Sequence, residues 1–187
     1  MKTSYLPSII KQFEYYKSLG DKTFETLNLE ELQKEFEEDS NSISIITKHI
    51  VGNMLSRWTN FLTEDGEKES RHRDLEFQDT YASKDDLVND WNKGWNCLFE
   101  AITPLTETDL ERIIYIRNQG HTVTEAINRQ LAHYSYHIGQ IVFLGKLVKG
   151  KNWQSLSIPK GNSSKYNAEK FSKEKGRRHF TDDLWVF

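Results

Sequence analysis

Apolar residues Tyr5, Leu6, Ile9, Ile10, Phe13, Tyr16 and Leu19 recur at three- and four-residue steps, which predicts a helix with one buried face from Thr3 to about Leu19. A polar, acidic stretch from Asn28 to Asp39 interrupts the pattern. Ser40, Asn41 and Ser42 then offer N-caps for a second long helix reaching about Leu62, with the stripe Ile43, Ile46, Ile50, Met54, Trp58 and Phe61. Between Thr63 and Ser83 the periodicity stops, Asp65-Gly66 supplies a turn, and the charged run GEKESRHRDLEF reads as a long surface loop. A third helix runs from about Ser83 through Leu87, Trp91, Trp95, Leu98 and Ile102 until Pro104 stops it.

The run RIIYIR, Arg112 to Arg117, is β-branched and aromatic and is followed at once by the turn residues Asn118, Gln119 and Gly120, so a short strand or hairpin is expected. Thr122 and Glu125 have capping-box spacing, which starts a fourth helix at Thr122 that runs to about Val148, before Gly150. Beyond Trp153 the chain is rich in Lys, Ser, Asn and Gly and reads as irregular, although Leu184, Trp185, Val186 and Phe187 can anchor its end. Four amphipathic helices with a small β insertion before the last describe an all-α four-helix bundle.

Composition keeps this to one domain. At 187 residues, with 36% hydrophobic and 12% aromatic side chains, residues 1–187 can bury one substantial core, with 151–187 as an irregular basic C-terminal segment. No apolar run approaches the roughly 18 residues of a membrane span, and the first residues lack the apolar core and cleavage site of a secretion signal. The expected location is the cytoplasm, without membrane contact. Cys97 stands alone, which excludes an internal disulfide and a Cys-rich zinc site. A metal site must therefore use His, Asp or Glu.

Charge is unevenly spread. Net charge is −3, but Lys149 to Arg178 carries nine Lys/Arg against Glu169 and Glu174. Such a stretch reads first as a solvated tail or a patch docked on the acidic body, with an anionic ligand as the alternative and nucleic acid as a partner not expected.

The six histidines carry the candidate chemistry. His133 and His137 stand four apart in the fourth helix, so their rings project from one face about one turn apart, at the margin of the stripe Ile127, Leu131, Tyr134, Ile138, Ile141 and Val148. His49 occupies the same kind of position between Ile46 and Ile50. Half-inward histidines need partners: a shared ion on three imidazoles, or carbonyls that each ring satisfies separately. Spacing leaves both open. His72, His121 and His179 read as solvated surface residues.

One His in the second helix, a strand-like insertion, then HYSYHIGQI in the last helix resembles the DinB/YfiT-like superfamily of small metalloproteins. The blocks KHIVGNMLSRWTNFLTEDGEK, RHRDLEF, AINRQLAHYSYHIGQIVFLGK and SLSIPKG, taken in order over roughly residues 3 to 167, resemble one uncharacterised bacterial branch of it. The resemblance implies that His49, His133 and His137 bind a divalent ion, nickel or zinc foremost. It also implies an enzyme that uses a low-molecular-weight thiol such as bacillithiol or mycothiol as co-substrate in an S-transferase or related small-molecule reaction; a homodimer is expected from the resemblance and from apolar and aromatic residues on the first and third helices, Tyr15, Trp91 and Trp95 among them, that exceed what one bundle hides. The alternatives are a metal-dependent hydrolase and a non-catalytic metal-binding or stress-response module. Both chemistries exploit an ion that lowers the pKa of a bound nucleophile, a thiol in one and water in the other. Asn53 and Arg57, one and two turns after His49, and Gln130, about one turn before His133, are candidates to orient substrate or ligands; interhelical hydrogen bonds and an ion pair are their ordinary alternative roles.

Overall fold

In the computed structural model, residues 4–37 and 40–182 are described, and they form six helices and one two-stranded sheet. The helices are α1 (Tyr5–Thr26), α2 (Leu29–Leu32), α3 (Ile43–Trp58), α4 (Lys84–Ile102), α5 (Val123–Lys149) and α6 (Ser163–Phe171). Strands β1 (Ile113–Ile116) and β2 (Gln119–Thr122) pair antiparallel, Ile113 opposite Thr122 and Ile116 opposite Gln119. The expected all-α bundle with a small β insertion is the fold observed.

Local chemistry sets the boundaries. Of the three candidate caps before α3, Ser42 is the one used, its side chain accepting from the Ile45 N–H. Thr122 and Glu125 form the full capping box of α5, and Gly150, at φ 54°, closes its far end in a conformation that disfavours any Cβ. The expected hairpin turns on Arg117 and Asn118, whose φ values of 56° and 60° belong to a two-residue turn of the type I′ class.

Several boundaries differ from the periodicity. The first helix runs past Leu19 to Thr26, because Gly20, Thr23 and Phe24 continue the buried face, and Phe24 packs its ring 5.0 Å from that of Trp91. The second long helix stops at Trp58 rather than Leu62, because Thr59 turns extended and Asn60 takes φ 49°. A short helix, α2, sits inside the polar stretch under a capping box made by Asn28 and Glu31. Within the segment expected to be irregular, Ser163–Phe171 is helical. That segment meets the body where Asp182 pairs with Lys11 and His179 hydrogen-bonds Ser8 at 3.1 Å. The expected anchor Leu184 to Phe187 lies outside the described residues, as do Thr3 and the end of the acidic stretch at Asp39.

Helices α1, α5, α3 and α4 follow one another around the bundle, which makes α3 and α5 direct neighbours. Their shared core is apolar and fully enclosed: Phe13, Ile50, Met54, Trp91, Trp95, Leu98, Tyr134 and Ile138 are all essentially inaccessible to solvent. Among the described residues no helix is long and apolar enough to cross a membrane.

A tight seam between α1 and α4 shows how closely this core is filled. A Cβ at Gly20 would overlap the ring of Trp91, whose indole N–H is tied to Asp21 at 2.7 Å. Ala is the better helix former by about 1 kcal/mol, but a buried ring that is hydrogen-bonded in place cannot retreat, and overpacking costs about 1–3 kcal/mol. Gly20→Ala is therefore expected to lower unfolding free energy by up to about 2 kcal/mol in denaturant titrations, the overpacking term winning. A variant as stable as the parent, or more so, would show that Trp91 has room to move.

Candidate metal centre

His49 sits in mid-α3, and His133 and His137 one turn apart in mid-α5, so adjacency of the two helices brings the three rings together. Ring centroids lie 5.4 Å apart for His49 and His133, 5.0 Å for His49 and His137, and 4.7 Å for His133 and His137. The Nε2 atom of His133 is 3.4 Å from that of His49 and 3.1 Å from that of His137. Nitrogens held by bonds of about 2.0–2.1 Å to one tetrahedral ion stand roughly 3.4 Å apart. All three histidines thus offer a ligand atom within 4.8 Å of the others, and the cluster can hold a metal ion.

The far side of each ring decides which nitrogen is free. His49 Nδ1 lies 2.9 Å from Glu76 Oε2; against a carboxylate that nitrogen must carry the proton and donate, which leaves Nε2 as a bare lone pair. His137 Nδ1 lies 2.7 Å from Gln140 Oε1, and Gln140 is oriented by donating its own amide N–H to the Tyr136 hydroxyl at 3.1 Å, so His137 Nδ1 also donates. Two bare nitrogens therefore face His133 Nε2, and one N–H there can satisfy only one of them. A cation at the common point satisfies all three, which is the donor chemistry of a three-imidazole site.

Glu76 and its neighbours were legible only as part of a charged loop. The short 3-10 helix Arg73–Phe77 lies against α3, buries the Glu76 side chain and stacks Phe77 on His49 at 5.2 Å between ring centres. Burial pushes the Glu76 carboxyl up, but hydrogen bonds from His49 and Arg71 outweigh it and hold the group below its ordinary value. Arg71 meets it two-pronged, Nε to Oε1 at 2.7 Å and an NH2 to Oε2 at 2.9 Å. The backbone makes room for the carboxylate: a Cβ at Gly52 would collide with Glu76 Oε1.

Of the other candidates, Asn53 is buried and its Oδ1 accepts from the Tyr134 hydroxyl at 3.0 Å, which itself accepts from the Trp58 indole at 3.1 Å. Arg57 is buried, donates to the Gly66 carbonyl and pairs with Glu67 at 2.9 Å, so it clamps the loop onto α3. Gln130 is buried with its side-chain oxygen unpartnered among the described residues. All three line a cavity of about 210 Å³ that has His49 and His133 in its wall. A larger cavity of about 510 Å³ lies across Glu76 and includes none of the three histidines. His72 is exposed as expected, whereas His121 and His179 are half-buried; His121 Nε2 is enclosed without a partner among the described residues, and His179 lies against Ser8 and Thr181.

Burial, followed by the nearby His137, His49 and arginine charges, pushes His133 from its ordinary 6.5 down to about 3. His137 is also lowered, burial outweighing its hydrogen bond to Gln140. A histidine lowered on folding binds fewer protons folded than unfolded, so its share of stability is complete above the unfolded value and is lost as pH falls toward the folded one. The metal-stripped chain is accordingly expected to melt at lower temperature at about pH 5.5 than at about pH 7.5, a window in which Glu76 stays ionised. An unchanged melting temperature across that window would contradict the assigned burial.

The sequence pattern of one protein family, described as Protein of unknown function (DUF1572), matches residues 1–162, and the chain belongs to that family. No curated protein and no solved structure matches it.

Proposed function

We propose that this DUF1572 family member is a metal-dependent enzyme acting on a small molecule, with His49, His133 and His137 as the ligands of one divalent ion, nickel or zinc foremost. The observation that carries the reading is convergence of three Nε2 atoms, two of them on rings whose outer nitrogens are already committed, His49 at Glu76 and His137 at Gln140. Imidazole ligands fit either metal. The likeness to DinB/YfiT-like proteins belongs to this proposal, and so do the expected homodimer and cytoplasmic location.

A thiol-dependent S-transferase is the favoured reaction. When bound, the ion supplies a positive charge that stabilises a thiolate at neutral pH. The chain's own part is positional. Glu76 fixes the His49 ring through Nδ1, Phe77 packs on its face, and the cavity beside His49 and His133 receives the co-substrate. Among the described residues that cavity is lined by Arg, Asn, Gln and His side chains, with no carboxylate in its wall. Metal-assisted hydrolysis of the kind that uses a glutamate base lacks its base here, since Glu76 is already taken by Arg71 and His49, so thiol transfer fits the wall better.

Purified protein is expected to carry about one Ni or Zn per chain by elemental analysis, and His133→Ala to lose it. Metal-loaded protein should then conjugate a low-molecular-weight thiol such as bacillithiol with an electrophile, whereas a protein that neither retains nor takes up the ion overturns the reading. Loaded protein inert across thiols but active on esters or amides points to the hydrolase, and inert in both to a non-catalytic module.

Glu76→Gln keeps the shape but removes the charge that holds the His49 proton, and Gly52→Ala pushes the carboxylate aside. Each is expected to weaken metal affinity by about 10–100-fold in competition with a chromophoric chelator. Parent-like affinity in both variants would mean that Glu76 does not orient the ligand.

A further inference from the structure

Five arginines converge on the small cavity beside His49 and His133: Arg57 from α3, Arg71 and Arg73 from the loop after it, Arg117 from the hairpin turn and Arg129 from α5. Bringing like charges together is unfavourable unless something neutralises them. Glu67 answers part of the charge, its Oε2 standing 2.9 Å from Arg57, 3.1 Å from Arg117 and 3.5 Å from Arg71. Glu76 answers Arg71. Five guanidinium groups against Glu67, Glu76 and the neighbouring Asp65 leave an excess of two positive charges, with the histidines neutral. Arg73 lies over the Phe77 ring at 5.1 Å, and neither it nor Arg129 has an ion pair among the described residues.

Two further observations separate this wall from a solvated basic surface. Arg57 Nε and Gln130 Oε1 are buried without a partner among the described residues, and both residues line the cavity. A buried donor or acceptor left unmade carries its full desolvation cost, which a ligand can remove. The hairpin is also held in place for Arg117. That residue sits at φ 56°, a conformation uncommon outside Gly, Asn and Asp, and Asp65 secures it by accepting the backbone N–H groups of Arg117 and Asn118, each at 2.8 Å.

We propose that this cavity is an anion subsite that seats a carboxylate or phosphate group of the substrate or co-substrate next to the three-histidine centre, a role that rests on the metalloenzyme reading above. Arg57 and Arg71 form its buried floor, and Arg73, Arg117 and Arg129 its exposed rim. Planar guanidinium groups match both anions two-pronged. Gln130 Oε1 accepts an N–H or O–H that the ligand carries beside its charge. At about 210 Å³ the space suits the charged end of a metabolite rather than a whole drug-sized ligand, for which pockets start at roughly 300 Å³.

The test is calorimetric titration of inorganic phosphate and, separately, malonate into full-length protein, both metal-loaded and metal-stripped, with the double variant Arg73→Gln/Arg129→Gln alongside. Both substituted residues are exposed and make no ion pair among the described residues, so the fold is expected to survive, checked by circular dichroism and by unchanged metal content. The parent is expected to bind at least one anion, more weakly at high salt, with the tighter of the two identifying the group. The double variant should bind about tenfold or more weakly, as expected for loss of charged hydrogen bonds. Anion binding to stripped protein that depends on the arginines upholds the subsite even if no metal is ever found, which would sink only the metalloenzyme reading. Metal-loaded protein that binds neither anion, or a double variant that binds as tightly as the parent, overturns the subsite and leaves the metal centre standing.

Discussion

With its Nδ1 proton held by the Glu76 carboxylate at 2.9 Å, the neutral ring of His49 presents a bare Nε2 to His133 and His137. The orientation of His49 follows from that one hydrogen bond, as that of His137 follows from Gln140. Were Glu76 protonated or displaced, the ring could flip or change tautomer, and an N–H would point where a lone pair is needed. The rest of the neighbourhood maintains the carboxylate as an anion. Arg71 binds both of its oxygens, Gly52 leaves space for it, and the 3-10 helix seals it from solvent. Removing a carboxylate from water is costly unless its oxygens are bonded, and here both are.

The loop between α3 and α4 is therefore part of the site rather than a connector. Arg57 and Ser56 on α3 grip the Gly66 carbonyl, Ser56 also accepts the Lys68 N–H at 3.0 Å, and Asp65 fastens the same loop to the β-hairpin turn. Rigid helices carry the three histidines, while the loop supplies the carboxylate that orients His49 and most of the surrounding charge. That division suits a bundle whose core is already filled by Trp91, Trp95 and Tyr134, since the charged work has to be done at its edge.

Two electrostatic demands meet at this edge. The imidazoles must stay neutral to act as ligands, and the arginines beside them discourage protonation; part of the lowering at His133 comes from Arg71 and Arg57. The same arginines make the cavity attractive to anions. A positive wall thus favours the neutral form of the histidines, and in the proposed role the same charge distribution would also select what approaches them.

Much of this was legible along the chain. Periodicity gave the four long helices, the Thr122 to Glu125 spacing gave the start of α5, and the i, i+4 pair His133 and His137 was certain to share a helix face, because each depends on residues a few positions apart. The end of α1 was missed because Gly20 and Asp21 break the stripe locally, although Trp91, seventy positions away, needs that gap. Glu76 was hidden among the charges of a surface-looking loop, and the arginine wall was dispersed over four separate segments. Nothing local distinguishes a carboxylate that will be buried on a histidine from one left in water, or five scattered arginines from five that converge. Burial and proximity between distant segments arise only when the helices pack, and it is packing that turned three ordinary histidines into a centre.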